Sequence, residues 1–278
     1  MKRAVLLLAS SLIAWTASAQ TKDVVVVGGA LAEIVYALGA ENRIAATDTT
    51  ASYPPAARDT PKVGYQRSLS AEGVLSLKPK LVLAASEAGP PAAIAQIRNA
   101  GVRVESFGAE HSAAQVMANI ERIATLLDVP KDGQKLVARM RAELDQMRDQ
   151  VAAYGAKKPR VLFLLAHGGS PQVTGEGTAA HAMIELAGGE NVMKGFSGYR
   201  PLTAEAAIAA APDVILITDQ GLDAQGGIAG LLTKPGLALT PAGQNKRAVK
   251  MDALQLLGFG PRLPATVSSL ARLLRENK

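Results

Sequence analysis

One segment of this chain occurs twice, and the duplication constrains the fold more than any other feature of the sequence. Leu69-Ser-Ala-Glu72-Gly-Val-Leu-Ser-Leu-Lys-Pro79-Lys-Leu-Val-Leu83 is matched half a protein later by Leu202-Thr-Ala-Glu205-Ala-Ala-Ile-Ala-Ala-Ala-Pro212-Asp-Val-Ile-Leu216. Each copy reads as a Ser or Thr helix cap, a Glu in the first turn, a short helix stopped by Pro, and a buried strand. An aromatic and basic cluster precedes each copy: Gly64-Tyr65-Gln66-Arg67 in the first, Gly198-Tyr199-Arg200 in the second. Two similar lobes facing each other across a cleft is the arrangement this implies.

The rest of the chain repeats the same grammar. Val24 to Val27 is a continuous apolar run ended by Gly28-Gly29, with a helical pattern following to Gly39. Leu81 to Ala84 precedes a helix over 94–100, and Val102 to Phe107 precedes one over 113–127. After Pro159 the alternation restarts with Val161 to Leu165, a helix over 179–187, the repeat helix at Thr203, the strand Val214 to Thr218 and a last helix over 264–275. Apolar strands alternating with helices predict α/β lobes of Rossmann-like type with mostly parallel sheets. Between them, Leu136, Met140, Leu144, Met147 and Val151 fall on one stripe of a long helix. Its other face, with Arg139, Arg141, Glu143, Asp145 and Arg148, is expected to be solvated. The expected organisation is therefore a leader over 1–19, an N-terminal lobe over 20–130, an interlobe helix over 131–157 and a C-terminal lobe over 158–278. A stiff helical connector implies small lobe movements.

Lys2 and Arg3, the apolar run from Ala4 to Ala14, and Ala17-Ser18-Ala19 have the layout of a secretory signal cleaved near Ala19. The run is short for a membrane span, so export to a bacterial periplasm is the expected destination. The chain has no Cys, which excludes disulfides, thiolate zinc sites and cysteine-ligated iron–sulfur clusters. Its net charge of +6 falls to +4 once Lys2 and Arg3 leave with the signal. The basic residues are scattered and aromatics few, which argues against a nucleic-acid surface. The balance still suits an acidic ligand.

Gly28-Gly29-Ala30-Leu31-Ala32-Glu33 lacks the glycine spacing of a dinucleotide fingerprint and reads as a tight strand-to-helix turn. No nucleophile elbow, Walker loop or recognisable triad is present, so the chain reads as a binding protein and not an enzyme. The rival is an exported enzyme using the Gly28 turn for a nucleotide or His167 as a base. His111 reads as a helix-start residue and His181 as a surface or interlobe one. His167 lies at the carboxyl end of a predicted strand, where α/β folds place ligand contacts. Tyr65 stands out for its company. A phenol is a poor metal ligand until something favours the phenolate, and on an extended segment the Arg67 guanidinium would project from the same face. Phenolate is a hard oxygen donor that prefers ferric iron, and tyrosinate ligates haem. A surface Tyr beside a solvated Arg67 is the equally weighted alternative.

Val63-Gly-Tyr-Gln-Arg-Ser-Leu-Ser-Ala-Glu72, Gly175-Glu-Gly-Thr178, Ile184-Glu-Leu-Ala-Gly-Gly-Glu-Asn191, Gly198-Tyr-Arg-Pro-Leu-Thr-Ala-Glu205 and Leu257-Gly-Phe-Gly-Pro-Arg262 together resemble the periplasmic haem-binding proteins of bacterial haem-uptake ABC transporters. The resemblance runs from about Val24 to Leu274. It implies a helix-bridged substrate-binding protein, a monomer, that carries ferric haem to an inner-membrane permease. Tyr65 would then be the axial ligand, with Arg67 bonding the phenolate or a propionate. Glu72 and Glu205 would dock against permease arginines, and Tyr199, Arg200 and Arg262 would line the far wall or meet propionates. His167 is the counterpart of a second-lobe His used by some relatives. A corrinoid or ferric-siderophore carrier on the same scaffold is the alternative.

Overall fold

Four consecutive valines, Val24–Val27, are buried on both faces of their strand, which places it inside a sheet covered on two sides. The structure, a computed structural model, describes residues 22–108, 110–166 and 171–276, so the leader and His167 lie outside the described residues. This first strand, β1, is followed by α1 (Gly29–Ala37), β2 (Ile44–Thr47), α2 (Pro55–Arg58), α3 (Ala71–Leu75), β3 (Leu81–Ala85), α4 (Pro91–Asn99), β4 (Arg103–Phe107) and α5 (Ala113–Leu126). The strands pair in the order β2-β1-β3-β4, all parallel. Edge strand β4 carries Arg103 and Glu105, charges that discourage further pairing.

Helix α6 (Pro130–Ala153) crosses to the second lobe. There follow β5 (Arg160–Leu165), β6 (Gln172–Thr174), α7 (Ala179–Leu186), β7 (Glu190–Asn191), β8 (Tyr199–Pro201), α8 (Ala204–Ala210), β9 (Val214–Thr218), α9 (Asp219–Ala224), α10 (Gly227–Leu232), α11 (Pro241–Gln244), β10 (Ala248–Met251), α12 (Ala253–Leu257) and α13 (Leu263–Leu273). This sheet runs β10-β9-β5-β6-β8, with β7 also paired to β5. β10, β9, β5 and β7 are parallel, and of these β5 and β9 are the buried apolar runs that the sequence predicts as strands. β6 is antiparallel to both β5 and β8, so the second sheet is mixed.

The duplicated segment forms the same unit twice. The Ser70 hydroxyl accepts from the Gly73 N–H at 3.1 Å, and the Thr203 hydroxyl from the Ala206 N–H at 3.1 Å. Each copy then places a residue of positive φ just before its proline: Lys78 at 48° and Ala211 at 41°. The proline ring disfavours a right-handed helical conformation in the residue before it, which helps the chain leave each helix for its strand.

With 24 residues, α6 is roughly 36 Å long, enough to span both lobes. Its stripe is as the spacing predicts: Leu136, Met140, Leu144 and Met147 are buried and Val151 packs at the edge. The opposite face is solvated, with Arg148 and Asp145 paired at 3.0 Å and Arg139 and Glu143 at 3.8 Å. One hydrophobic cluster runs through Val24 and Phe107 of the first lobe, Met140 of α6, and Phe163 and Leu270 of the second. Each lobe keeps a smaller cluster on the other face of its sheet.

Candidate functional site in the cleft between the lobes

The carboxyl ends of β1, β3 and β4 carry the loops that face the second lobe, and the loop from β2 to α3 holds Tyr65. That loop is braced from within. The Lys62 ammonium donates to the Thr47 hydroxyl at 2.8 Å and to the Ala51 and Ala57 carbonyls at 3.1 and 2.8 Å. Removal of this ammonium from water lowers the Lys62 pKa, and the carboxylates of Asp48 and Asp59 partly offset that. Thr49 N–H donates to the Gly64 carbonyl, and Ser68 N–H to the Tyr65 carbonyl, each at 2.9 Å. Tyr65 to Ser68 is thus a turn, tied to the exit of β3 by the Gly89 N–H donating to the Gln66 carbonyl at 2.8 Å.

The extended geometry expected for Tyr65 and Arg67 is therefore corrected. Tyr65 opens the turn and Arg67 is its third residue, because the backbone folds back to bond Ser68. Tyr65 is 44 % exposed as a whole residue, and its side chain has no hydrogen bond or ring partner among the described residues. Arg67 is also exposed, and its charge is felt by Tyr199 of the second lobe. The two clusters singled out by the duplication thus approach each other across the cleft.

Tyr199 lies on edge strand β8, directly across from Thr174 of β6. Desolvation raises its pKa, while the Thr174 side chain, as a hydrogen-bond partner, and the Arg67 guanidinium pull it the other way. The residue as a whole is 39 % exposed, so the desolvation is partial. Arg200, the next residue, points to the opposite face of the strand and stacks on the Phe196 ring at 4.4 Å. The structure therefore turns Tyr199 and Arg200 to different sides. Glu72 and Glu205 are both exposed in the first turns of α3 and α8, without a salt bridge among the described residues.

Arg262 belongs to the joint between the lobes. Its guanidinium makes a two-pronged pair with Glu33 of α1, at 3.0 and 2.9 Å, and its backbone N–H adds a third bond at 3.3 Å. It also lies 3.7 Å above the Tyr53 ring. Glu33 is only 5 % exposed in its side chain. Gly260 leaves room for this carboxylate, since a Cβ there would come within 3.3 Å of it. Nothing in the sequence marked Glu33 or Tyr53 as a residue of this joint, because their partner is more than two hundred residues away.

Phe259, from the same short link, meets His111 of the first lobe with ring centroids 5.2 Å apart. His111 shares a shallow interlobe pocket of about 390 Å³ with Glu110, Ser112, Thr178 and His181. Both histidines are thus interlobe residues. His181 Nδ1 lies 3.2 Å from Asn191 Nδ2, which also donates to the Thr174 carbonyl at 3.0 Å, so the ring is tied to the β6 and β7 region of the second lobe.

The Gly28-Gly29 turn is a structural one, as its sequence suggested. Gly28 N–H donates to Asp48 Oδ1 at 2.9 Å and Gly29 N–H to the Thr50 hydroxyl at 2.8 Å. The position where a nucleotide phosphate would meet the start of α1 is filled by the chain's own carboxylate. Asp48 and Thr50 carry no motif of their own; the signal was a polar run, Thr47-Asp48-Thr49-Thr50, directly after an apolar strand.

The comparisons with known proteins agree with this architecture. The chain is similar to the solved periplasmic haem-binding protein BhuT in complex with two haems, 54 % identical, with a TM-score of 0.88 over 90 % of this chain and 97 % of that one. The periplasmic haem-binding protein RhuT from Roseiflexus sp. RS-1 is 41 % identical, with a TM-score of 0.88 over 91 % of this chain and 98 % of that one. An ABC transporter substrate-binding lipoprotein of Bacillus subtilis, YvrC, is 28 % identical over 86 % of this chain and 75 % of its own length. A vitamin B12-binding protein of Vibrio campbellii is 24 % identical over 70 % of each. The family described as periplasmic binding protein matches residues 24–254, and this chain belongs to it.

Proposed function

We propose that this protein captures ferric haem between its lobes through Tyr65 and delivers it to an inner-membrane ABC permease. The observation that carries the reading is Tyr65 itself: an exposed phenol without a partner among the described residues, held on a braced turn whose Arg67 acts electrostatically on Tyr199 of the other lobe. Ferric iron would take the phenolate oxygen, with the Oη proton lost on binding. Binding is therefore weakened by acid. Apolar contact with the macrocycle supplies most of the affinity and the Fe–O bond the selectivity. In this reading Arg67 meets the phenolate or a propionate, and Tyr199 forms the facing wall. Arg200 and His167 are further second-lobe contacts in this reading. Arg262 would reach a propionate only by giving up Glu33, so its part is to hold the lobes. Relatives named for haem reach 54 % identity and those named for vitamin B12 only 24 to 26 %, which favours haem over a corrinoid.

The exported, periplasmic state and cleavage near Ala19 are part of the same proposal, as is a monomeric carrier that is not an enzyme. A second reading, capacity for two haems, is favoured by the paired tyrosines, one per lobe, and by BhuT having been solved with two. Titration with haemin decides the stoichiometry. In the same titration, Tyr65→Phe is expected to lose the charge-transfer absorbance of tyrosinate-ligated haem; an unchanged spectrum would defeat the assignment. Changing Glu72 and Glu205 together to Ala should preserve that spectrum while slowing delivery to permease-containing vesicles.

A further inference from the structure

Exposed large aliphatic side chains are few in this protein. Among the described residues they are Leu77, Ile208, Ile228 and Leu239, and three of the four lie by the two Glu-bearing helices. Leu77 follows the end of α3. Ile208 lies three residues after Glu205, on the same side of α8. Leu239 belongs to a link of successive turns between α10 and α11 that packs against α8. Gly236 approaches so closely that a Cβ there would stand 2.5 Å from Ala204 Cα. At the other end, Ala242 N–H donates to the Pro212 carbonyl at 2.8 Å. The link from 236 to 242 is thus anchored to the first turn of α8 at one end and to Pro212, just beyond that helix, at the other, and it carries Leu239 between the two anchors.

Ile208 is 44 % and Leu239 65 % exposed, so side chains that prefer burial are held in water beside a carboxylate. Among the described residues the first lobe exposes one large aliphatic side chain, Leu77, and Leu75, which the duplication aligns with Ile208, is half-buried against its own lobe. We propose that Ile208 and Leu239 form an apolar seat for the permease beside Glu205, making the C-terminal lobe the stronger half of the docking face. The inference rests on the docking reading given above. The occupant is the permease because the patch is continuous with a carboxylate that recurs at the matching place in the other lobe. A partner that spans both lobes meets both carboxylates. Apolar side chains ringed by charge are the usual form of an interface anchor.

The test compares Ile208→Ser/Leu239→Ser, Glu72→Ala/Glu205→Ala and the unchanged protein in haemin titration, haem delivery to permease-containing vesicles, and sedimentation. The serine pair should leave the haem spectrum and affinity unchanged and lower delivery roughly tenfold. Glu205→Ala alone should cost more delivery than Glu72→Ala alone. Serine variants that deliver within twofold of the unchanged protein, while the alanine pair is impaired, would overturn the apolar seat and leave charge docking intact. Full delivery by the alanine pair would overturn the docking reading and this inference with it. A self-association that the serine pair dissolves would assign the patch to a second copy and overturn the proposal.

Discussion

At the residue scale, His111 shows how position between the lobes gives a side chain its chemistry. Its ring is half-buried against Phe259, and desolvation lowers its pKa, with the Glu87 carboxylate opposing. Glu110 and His181 line the same pocket. The unfolded chain therefore takes up the His111 proton more readily than the folded one. Stability is full above pH 6.5, falls as the pH drops below that value, and stops falling once the pH is below the depressed folded value. Thermal unfolding followed between pH 7.5 and 5 should show this loss, and His111→Gln should flatten the slope. What the sequence made legible at this scale was chemistry with a local signature. The Tyr65 and Arg67 string, the two glutamates and the capping hydroxyls were all visible. Their geometry was less so, because the Tyr65 turn depends on bonds to Thr49 and Gly89, residues outside the motif.

At the scale of elements, the long connector gives the sharpest expectation. Gly133 in its first turn touches α5, where an added Cβ would lie 2.4 Å from Ala124 Cβ. Gly133→Ala gains about 1 kcal/mol of helix propensity. Overpacking at a helix contact costs about 1 to 3 kcal/mol, so steric conflict should win. The melting temperature should fall by about 2 to 6 °C, read by calorimetry. Strands β1 and β9 and the stripe on α6 were legible because burial leaves long apolar patterns. β6 and β8 were not. They are three residues each, interrupted by polar residues and Pro201, and their antiparallel pairing comes from tertiary contact and not from any local preference.

At the scale of the molecule, the lobes are joined by α6, the shared hydrophobic cluster, the His111–Phe259 ring contact and the Glu33–Arg262 pair resting on Tyr53. Removing one partner of a buried ion pair leaves the other charge stranded, at about 3 to 5 kcal/mol. Arg262 is 24 % exposed in its side chain, so a smaller loss of roughly 2 to 4 kcal/mol is expected for Glu33→Ala. Urea unfolding measures it, and a double variant with Arg262→Met should recover part of the loss. The same joint limits opening of the cleft, so scattering curves with and without haemin should nearly superimpose for the unchanged protein. The duplication announced two lobes, but it could not announce this joint, whose members are 229 residues apart. The cluster has a further consequence for synthesis. Val267, Leu270 and Leu274, from the last helix, complete the apolar bed in which α6 lies. The N-terminal half cannot complete the packing around its own connector before the last helix has been made, so a chain cut short before Val267 is expected to leave the inner stripe of α6 in water.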